Sequence, residues 1–248
     1  MGNIDPHPVS LIGRPDPTLS RWLWLVKWLL LIPHIIVLVF LWLAVGALSV
    51  VAWFAILFTA RYPRWIFTFN LGVLRWSWRV LFYGYGALGT DRYPPFTLGP
   101  VPDYPAQLDI AYPERLSRGL VLVKSWLLAI PHYLVLGFFF GIDTGGMRGR
   151  NPGWPWTAGL DGLLVLFLGV MLLFTGRHLR AAFDFVLGMD RWGARVAAYV
   201  LLMTDDYPPF RLDQGGGDVP PGEPPTKDAG PGMATATVPA GAEQRATP

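Results

Sequence analysis

Two histidines and eight arginines are the residues of this 248-residue chain whose types and spacing offer chemistry. His34 and His132 each follow an Ile-Pro pair inside strongly apolar sequence. An imidazole held in apolar surroundings suits a headgroup, a proton or a metal. Its plainer role is to satisfy a backbone carbonyl that Pro33 or Pro131 frees in the preceding turn. Neither histidine has Asp, Glu or Cys close by in sequence, which makes a poor metal set. Arg61, Arg64, Arg177 and Arg180 stand just beyond apolar runs, and Arg75, Arg79, Arg191 and Arg195 lie further on. Guanidinium forks at such places suit lipid phosphate. They equally suit anchoring at a membrane edge, with pairing such as Arg180 to Asp184 four residues on. These ten residues are the expected contacts to a lipid headgroup or a partner.

No catalytic residue, cofactor or metal ligand is assigned. Gly84-Tyr-Gly86-Ala-Leu-Gly89 matches a dinucleotide fingerprint in letters, but it closes a helix instead of joining a strand to one. The chain has no Cys, so disulfides and thiolate chemistry are excluded. A net charge of +3 gives nucleic acid no footprint.

The elements that must position these residues are dominated by Trp22–Phe58, a run with one charge, Lys27. The chain is 52% hydrophobic, with a mean hydropathy of +0.38, which places it among membrane proteins. The first 20 residues lack a basic n-region, so insertion through an uncleaved anchor is expected.

Landmarks of the first half return in order in the second. Val26-Lys27 and Ile32-Pro-His34 reappear as Val123-Lys124 and Ile130-Pro-His132. Phe58-Thr-Ala-Arg61 reappears as Phe174-Thr-Gly-Arg177, Arg75-Trp76 as Arg191-Trp192, and Tyr93-Pro-Pro-Phe96 as Tyr207-Pro-Pro-Phe210. Two tandem copies are read: residues 1–100 and 101–213, followed by a disordered Gly/Pro/Ala tail, 214–248. The second copy carries a polar insertion, Gly141–Gly159, between apolar helices at about 119–140 and 160–175. By analogy Trp22–Phe58 is expected to be a helical hairpin that turns near Ala44–Ala47.

Each copy then has an amphipathic helix, about 65–88 and 181–203. Its polar stripe is Thr68, Gly72, Arg75, Arg79, Tyr83 in one copy and Asp184, Gly188, Arg191, Arg195, Tyr199 in the other. Two arginines at mid-bilayer would cost about 2.5–3.5 kcal/mol each, so both helices are expected at the interface. Gly72 and Gly188 are expected to let another helix approach closely. Val9–Ile12 and Gln107–Tyr112 are expected to pair with extended segments at Leu98 and Leu212 as a small cytoplasmic β cap. The expected fold class is an all-α integral membrane protein of two hairpin repeats. Four crossings would put both termini in the cytoplasm of a multi-pass cell-membrane protein, the basic residues at the hairpin bases lying on that side.

The shared motifs, with Thr90-Asp-Arg-Tyr-Pro-Pro-Phe96, resemble a bacterial membrane family. It is known as a domain of unknown function, number four thousand three hundred and eighty-nine, common in actinobacteria and often duplicated. The resemblance covers about residues 8–212. The second copy departs at His178-Leu179, where the first has Tyr62-Pro63, and at Asp206 in place of Arg92. It implies a multi-pass membrane protein and carries no catalytic residues. The expectation is a non-enzymatic scaffold or accessory subunit of an envelope or transport complex, with membrane lipid and another membrane protein as partners. A lipid-handling or lipid-modifying protein using the His and Arg residues is the alternative, and a small transporter or channel comes third.

Overall fold

The computed structural model describes residues 7–17, 19–84, 86–140, 160–175, 180–210 and 212. The insertion 141–159, Arg177 and the tail expected to be disordered lie outside the described residues. The chain is mostly helical. Strand β1 (Val9–Gly13) precedes α1 (Lys27–Thr59) and α2 (Arg64–Tyr83). Strand β2 (Ala106–Ile110) precedes α3 (Arg118–Val123), α4 (Ile130–Phe140), α5 (Leu160–Thr175) and α6 (Arg180–Val200). A π-helical stretch, Lys124–Leu128, joins α3 to α4. Two helices, Lys27–Thr59 and Arg118–Phe139, are long and apolar enough to cross a membrane.

The hairpin expected within Trp22–Phe58 does not form. α1 runs 33 residues without a break through Ala44–Ala47. Gly46 is the one glycine there, and a Cβ added to it would meet nothing within 4 Å. The turn lies later, at Ala60–Pro63. Ala60 is left-handed (φ 56°), its N–H donates to the Ile56 carbonyl, and Pro63 precedes the first residue of α2. The helical hairpin is therefore α1 against α2. Val73, Trp76, Val80 and Tyr83 of α2 pack on Leu31, Leu38 and Val45 of α1. Pro33 sits inside α1, and the Tyr93 hydroxyl donates to the Leu30 carbonyl beside the break it makes (3.1 Å). Tyr207 donates in the same way to Leu128 ahead of Pro131 (3.4 Å).

The β segments also pair differently from the expectation. β1 and β2 pair with each other, antiparallel, with Leu11 opposite Leu108. Leu98 and Leu212 are not in strands. Leu98 instead crosses α2 at Gly72, where a Cβ would stand 2.8 Å from the Leu98 side chain. Gly72 thus admits an extended segment, not a helix. A second face of α2, with Arg75, Trp78 and Phe82, is turned to the ribbon, and α6 reaches it through Arg191 and Leu187.

The copies are related by a pseudo-twofold that the ribbon makes visible. Trp53 of α1 donates to the Val121 carbonyl of α3 at 3.0 Å. At the corresponding place in the other copy, the Trp24 ring packs on Gly169 of α5, 3.3 Å from where a Cβ would be. Ala52 and Ile56 of α1 are buried, as are Leu168 and Leu172 of α5. Hence α4 and α5 together retrace α1, and the insertion falls halfway along that path. The two long paths lie side by side and antiparallel. Their basic ends are consequently split. Arg21 and Lys27 are at one end of α1, Arg61 and Arg64 at the other, and not together at the base of a hairpin.

Candidate functional site

The helix starts fix one polar cluster in each copy. Lys27, the first residue of α1, donates to the Thr90 carbonyl (2.7 Å) and pairs with Asp91 (3.1 Å). Its ammonium also lies 4.6 Å from the Tyr83 ring centroid. Asp91 caps the chain as well, accepting from the Ser20 N–H at 2.5 Å. The second copy repeats every contact. Lys124 donates to the Thr204 carbonyl (2.8 Å), pairs with Asp205 (2.7 Å) and faces Tyr199. Ser117 N–H donates to Asp205 at 2.6 Å. A lysine at the head of an apolar helix is thus neutralised from three sides.

The histidines sit about two turns further on, within aromatic boxes. His34 stacks on Phe96 with ring centroids 4.0 Å apart and planes at 12°, and Tyr93 leans on it at 4.9 Å. Trp76 Nε1–H donates to His34 Nδ1 at 3.1 Å, so the imidazole is neutral with its proton on Nε2. His132 stacks on Phe210 at 4.3 Å and 9°, beside Tyr207 and Trp192. Both histidines are 0% exposed. Among the described residues, no three His, Asp or Glu side chains converge as metal ligands would.

The Tyr-Pro-Pro-Phe units follow each amphipathic helix in sequence. In the structure they return to close the histidine boxes. The signal for this lay in the repeat, where Lys, His and Tyr-Pro-Pro-Phe recur together. The lysine–aspartate clusters were missed for the same reason: Lys27 and Lys124 served as landmarks and were not read as part of a site.

The arginines divide into two groups. Arg75 Nε–H donates to the Leu108 carbonyl (2.9 Å) and its terminal nitrogen pairs with Asp109 (2.7 Å). Arg191 Nε–H donates to the Leu11 carbonyl at 3.1 Å. Each copy's arginine therefore serves the strand that introduces the other copy. Arg79 bonds the carbonyls of Thr97 and Gly99. Arg79, Arg191 and Arg195 are buried. Arg75, Arg79 and Arg191 thus donate to backbone carbonyls within the fold.

Arg61, Arg64 and Arg180 are exposed, and Arg177 lies outside the described residues. Arg61 and Arg64 line a groove of about 900 Å³ at the foot of α1 with Tyr112, Glu114 and Arg115. The Arg64 guanidinium lies 4.7 Å from the Tyr112 centroid. Tyr62 forms its floor: it accepts from Asn70 (2.9 Å) and donates to the Leu201 carbonyl (3.3 Å). Burial pushes the Tyr62 hydroxyl up to about 12, against the opposing effect of Asn70 and Ser49. Phe58 and Trp65 stand exposed beside the groove.

Residues 21–97 and 159–211 match the family described as Domain of unknown function (DUF4389). The chain belongs to this family. The two matched segments are consistent with a domain in two copies, and the gap between them holds α3, α4 and the insertion. Neither the curated proteins nor the solved structures include one that matches.

Proposed function

We propose that this member of the DUF4389 family is a non-enzymatic membrane scaffold, or an accessory subunit of an envelope or transport complex. It beds its two apolar paths in the plane of a bilayer and holds anionic lipid at their basic ends. One observation carries the reading: the polar insertion lies halfway along the second path. In a spanning arrangement it would leave the helix at mid-bilayer, where loop backbone has no partners. Lying flat, the same point is at headgroup depth throughout. Two further features agree. α1 is about 50 Å long at 1.5 Å per residue, against about 30 Å of hydrocarbon. It also exposes Trp28, Ile35, Phe40, Leu43, Val50, Phe54 and Phe58, while the other path exposes Trp126, Leu134, Phe138, Phe167 and Phe174. The groove of Arg61, Arg64 and Arg115 beside Phe58 and Trp65 supplies phosphate donors where an apolar surface ends. Sealing of both histidines behind aromatic rings counts against the headgroup-modifying alternative that uses them.

Because the chain has no Cys, single spin labels are simple to place. Labels at Ile35, Leu43, Val50 and Phe58 should report one common depth from their oxygen and nickel accessibility. A depth profile that rises and falls along α1 would overturn the in-plane reading in favour of spanning. For the lipid contact, Arg61→Gln with Arg115→Gln should reduce flotation with vesicles containing phosphatidylglycerol and leave phosphatidylcholine vesicles unaffected. Equal flotation of variant and parent would remove the groove from the proposal.

A further inference from the structure

A second positively charged cavity lies between α2 and the ribbon, remote from the groove. It has a volume of about 160 Å³ and is lined by Ser10, Arg75, Arg79, Val101, Gln107 and Asp109, among others. That is room for about five water volumes at roughly 30 Å³ each. Arg79 is 2% exposed and makes no ion pair among the described residues: its terminal nitrogens bond only the carbonyls of Thr97 and Gly99. Its Nε–H is buried with no hydrogen-bond partner among the described residues. The carboxylate of the cavity, Asp109, is engaged by Arg75. Buried charges are ordinarily paired, so an uncompensated guanidinium beside a cavity calls for an anion. Burial disfavours the Arg79 charge and Arg75 adds to that, with Tyr104 acting in the opposite sense.

We infer that this cavity binds a phosphate-class oxyanion between Arg75 and Arg79. The anion would take the orphan Nε–H of Arg79 and supply its missing counter-charge. A free phosphate and the phosphodiester of a lipid headgroup share this chemistry. The inference does not depend on the groove or on the in-plane placement.

The test is a titration of the full-length protein in detergent, following its thermal midpoint at constant ionic strength with chloride as the balancing salt. Inorganic phosphate is one probe and dihexanoyl phosphatidylglycerol the other. A saturable rise with phosphate alone assigns a free anion. A rise with the lipid that phosphate competes away assigns a headgroup. Arg75→Gln and the cavity-filling Val101→Phe each leave Arg79 and its carbonyl bonds in place. Both should weaken the effective probe at least about ten-fold, as expected for loss of a charge-assisted bond or of the space for it. The absence of a saturable response to either probe would overturn the inference, and so would a response that survives both cavity variants.

Discussion

Lys27 shows how one residue anchors a whole apolar helix. Lys27 is 1% exposed and its ammonium is answered by Asp91, which is about a quarter exposed. Lys27→Met should leave Asp91 and the Thr90 carbonyl without their cation and cost about 3 kcal/mol, the low end for breaking a buried pair. Lys124→Met should cost a similar amount, and matched denaturant midpoints would check the equivalence. Two other buried groups have no counterpart. Asp190 precedes Arg191 as Leu74 precedes Arg75, and Asp161 stands 13 residues before Phe174 as Val45 does before Phe58. Both aspartates are buried, and each has an oxygen without a hydrogen-bond partner among the described residues. Burial raises the Asp190 carboxyl well above its usual range, and Asp161 adds to that. The first copy folds with Leu and Val at these positions, so Asp190→Leu should raise the thermal midpoint, relieving about 1–3 kcal/mol of desolvation. A lowered midpoint would mean that the carboxyl has a structural partner. Tyr62 gives the pH dependence. Its hydroxyl titrates near about 10 when unfolded and near about 12 when folded. The stability it contributes is therefore complete below the lower value and lost as pH rises through the upper one. Tyr62→Phe should cost about 1 kcal/mol at neutral pH and flatten the alkaline limb of the stability curve, read beside phenolate absorbance.

Elements carry the lesson about what the sequence makes legible. The repeat, the amphipathic helices and the two β segments are readable because charges, prolines and aromatic landmarks punctuate them. Trp22–Phe58 has no such punctuation, and the second copy is a misleading guide to it. The insertion divides a path that is continuous in the first copy; it is not the lost turn of a hairpin. The arginine stripe was readable as a stripe, but not what faces it. Spacing along one helix says nothing of carbonyls 33 residues away, for Arg75, or 180 residues away, for Arg191. Deleting 141–159, so that Phe140 joins Leu160, should give one helix equivalent to α1. The variant should keep or raise the helical signal in circular dichroism and elute as a single folded species. Loss of folding would show that α4 and α5 are not the halves of one path.

At the scale of the molecule, the ribbon is where the halves meet, since each half satisfies the other's arginine there. Residues 1–105 expressed alone should pair through β1 with a second copy, Arg75 reaching the Leu11 carbonyl of its neighbour. Sedimentation in detergent would then show a dimer, whereas a monomer with native helix content would mean that the ribbon contributes little. The pairing of Leu11 with Leu108 also orders events in time. When α1 and α2 have been synthesised, Arg75 has no carbonyl to bind and β1 is an open edge. Both must wait for β2, whose Leu108 lies 33 residues past Arg75 and about a hundred past Leu11, and Arg191 closes on Leu11 only after α6 is complete. Contacts of such separation form late and slowly. The nascent first half is thus exposed to mispairing with a neighbouring copy until its own second half arrives. A duplicated gene places that second half on the same chain, which makes the correct partner the nearest one.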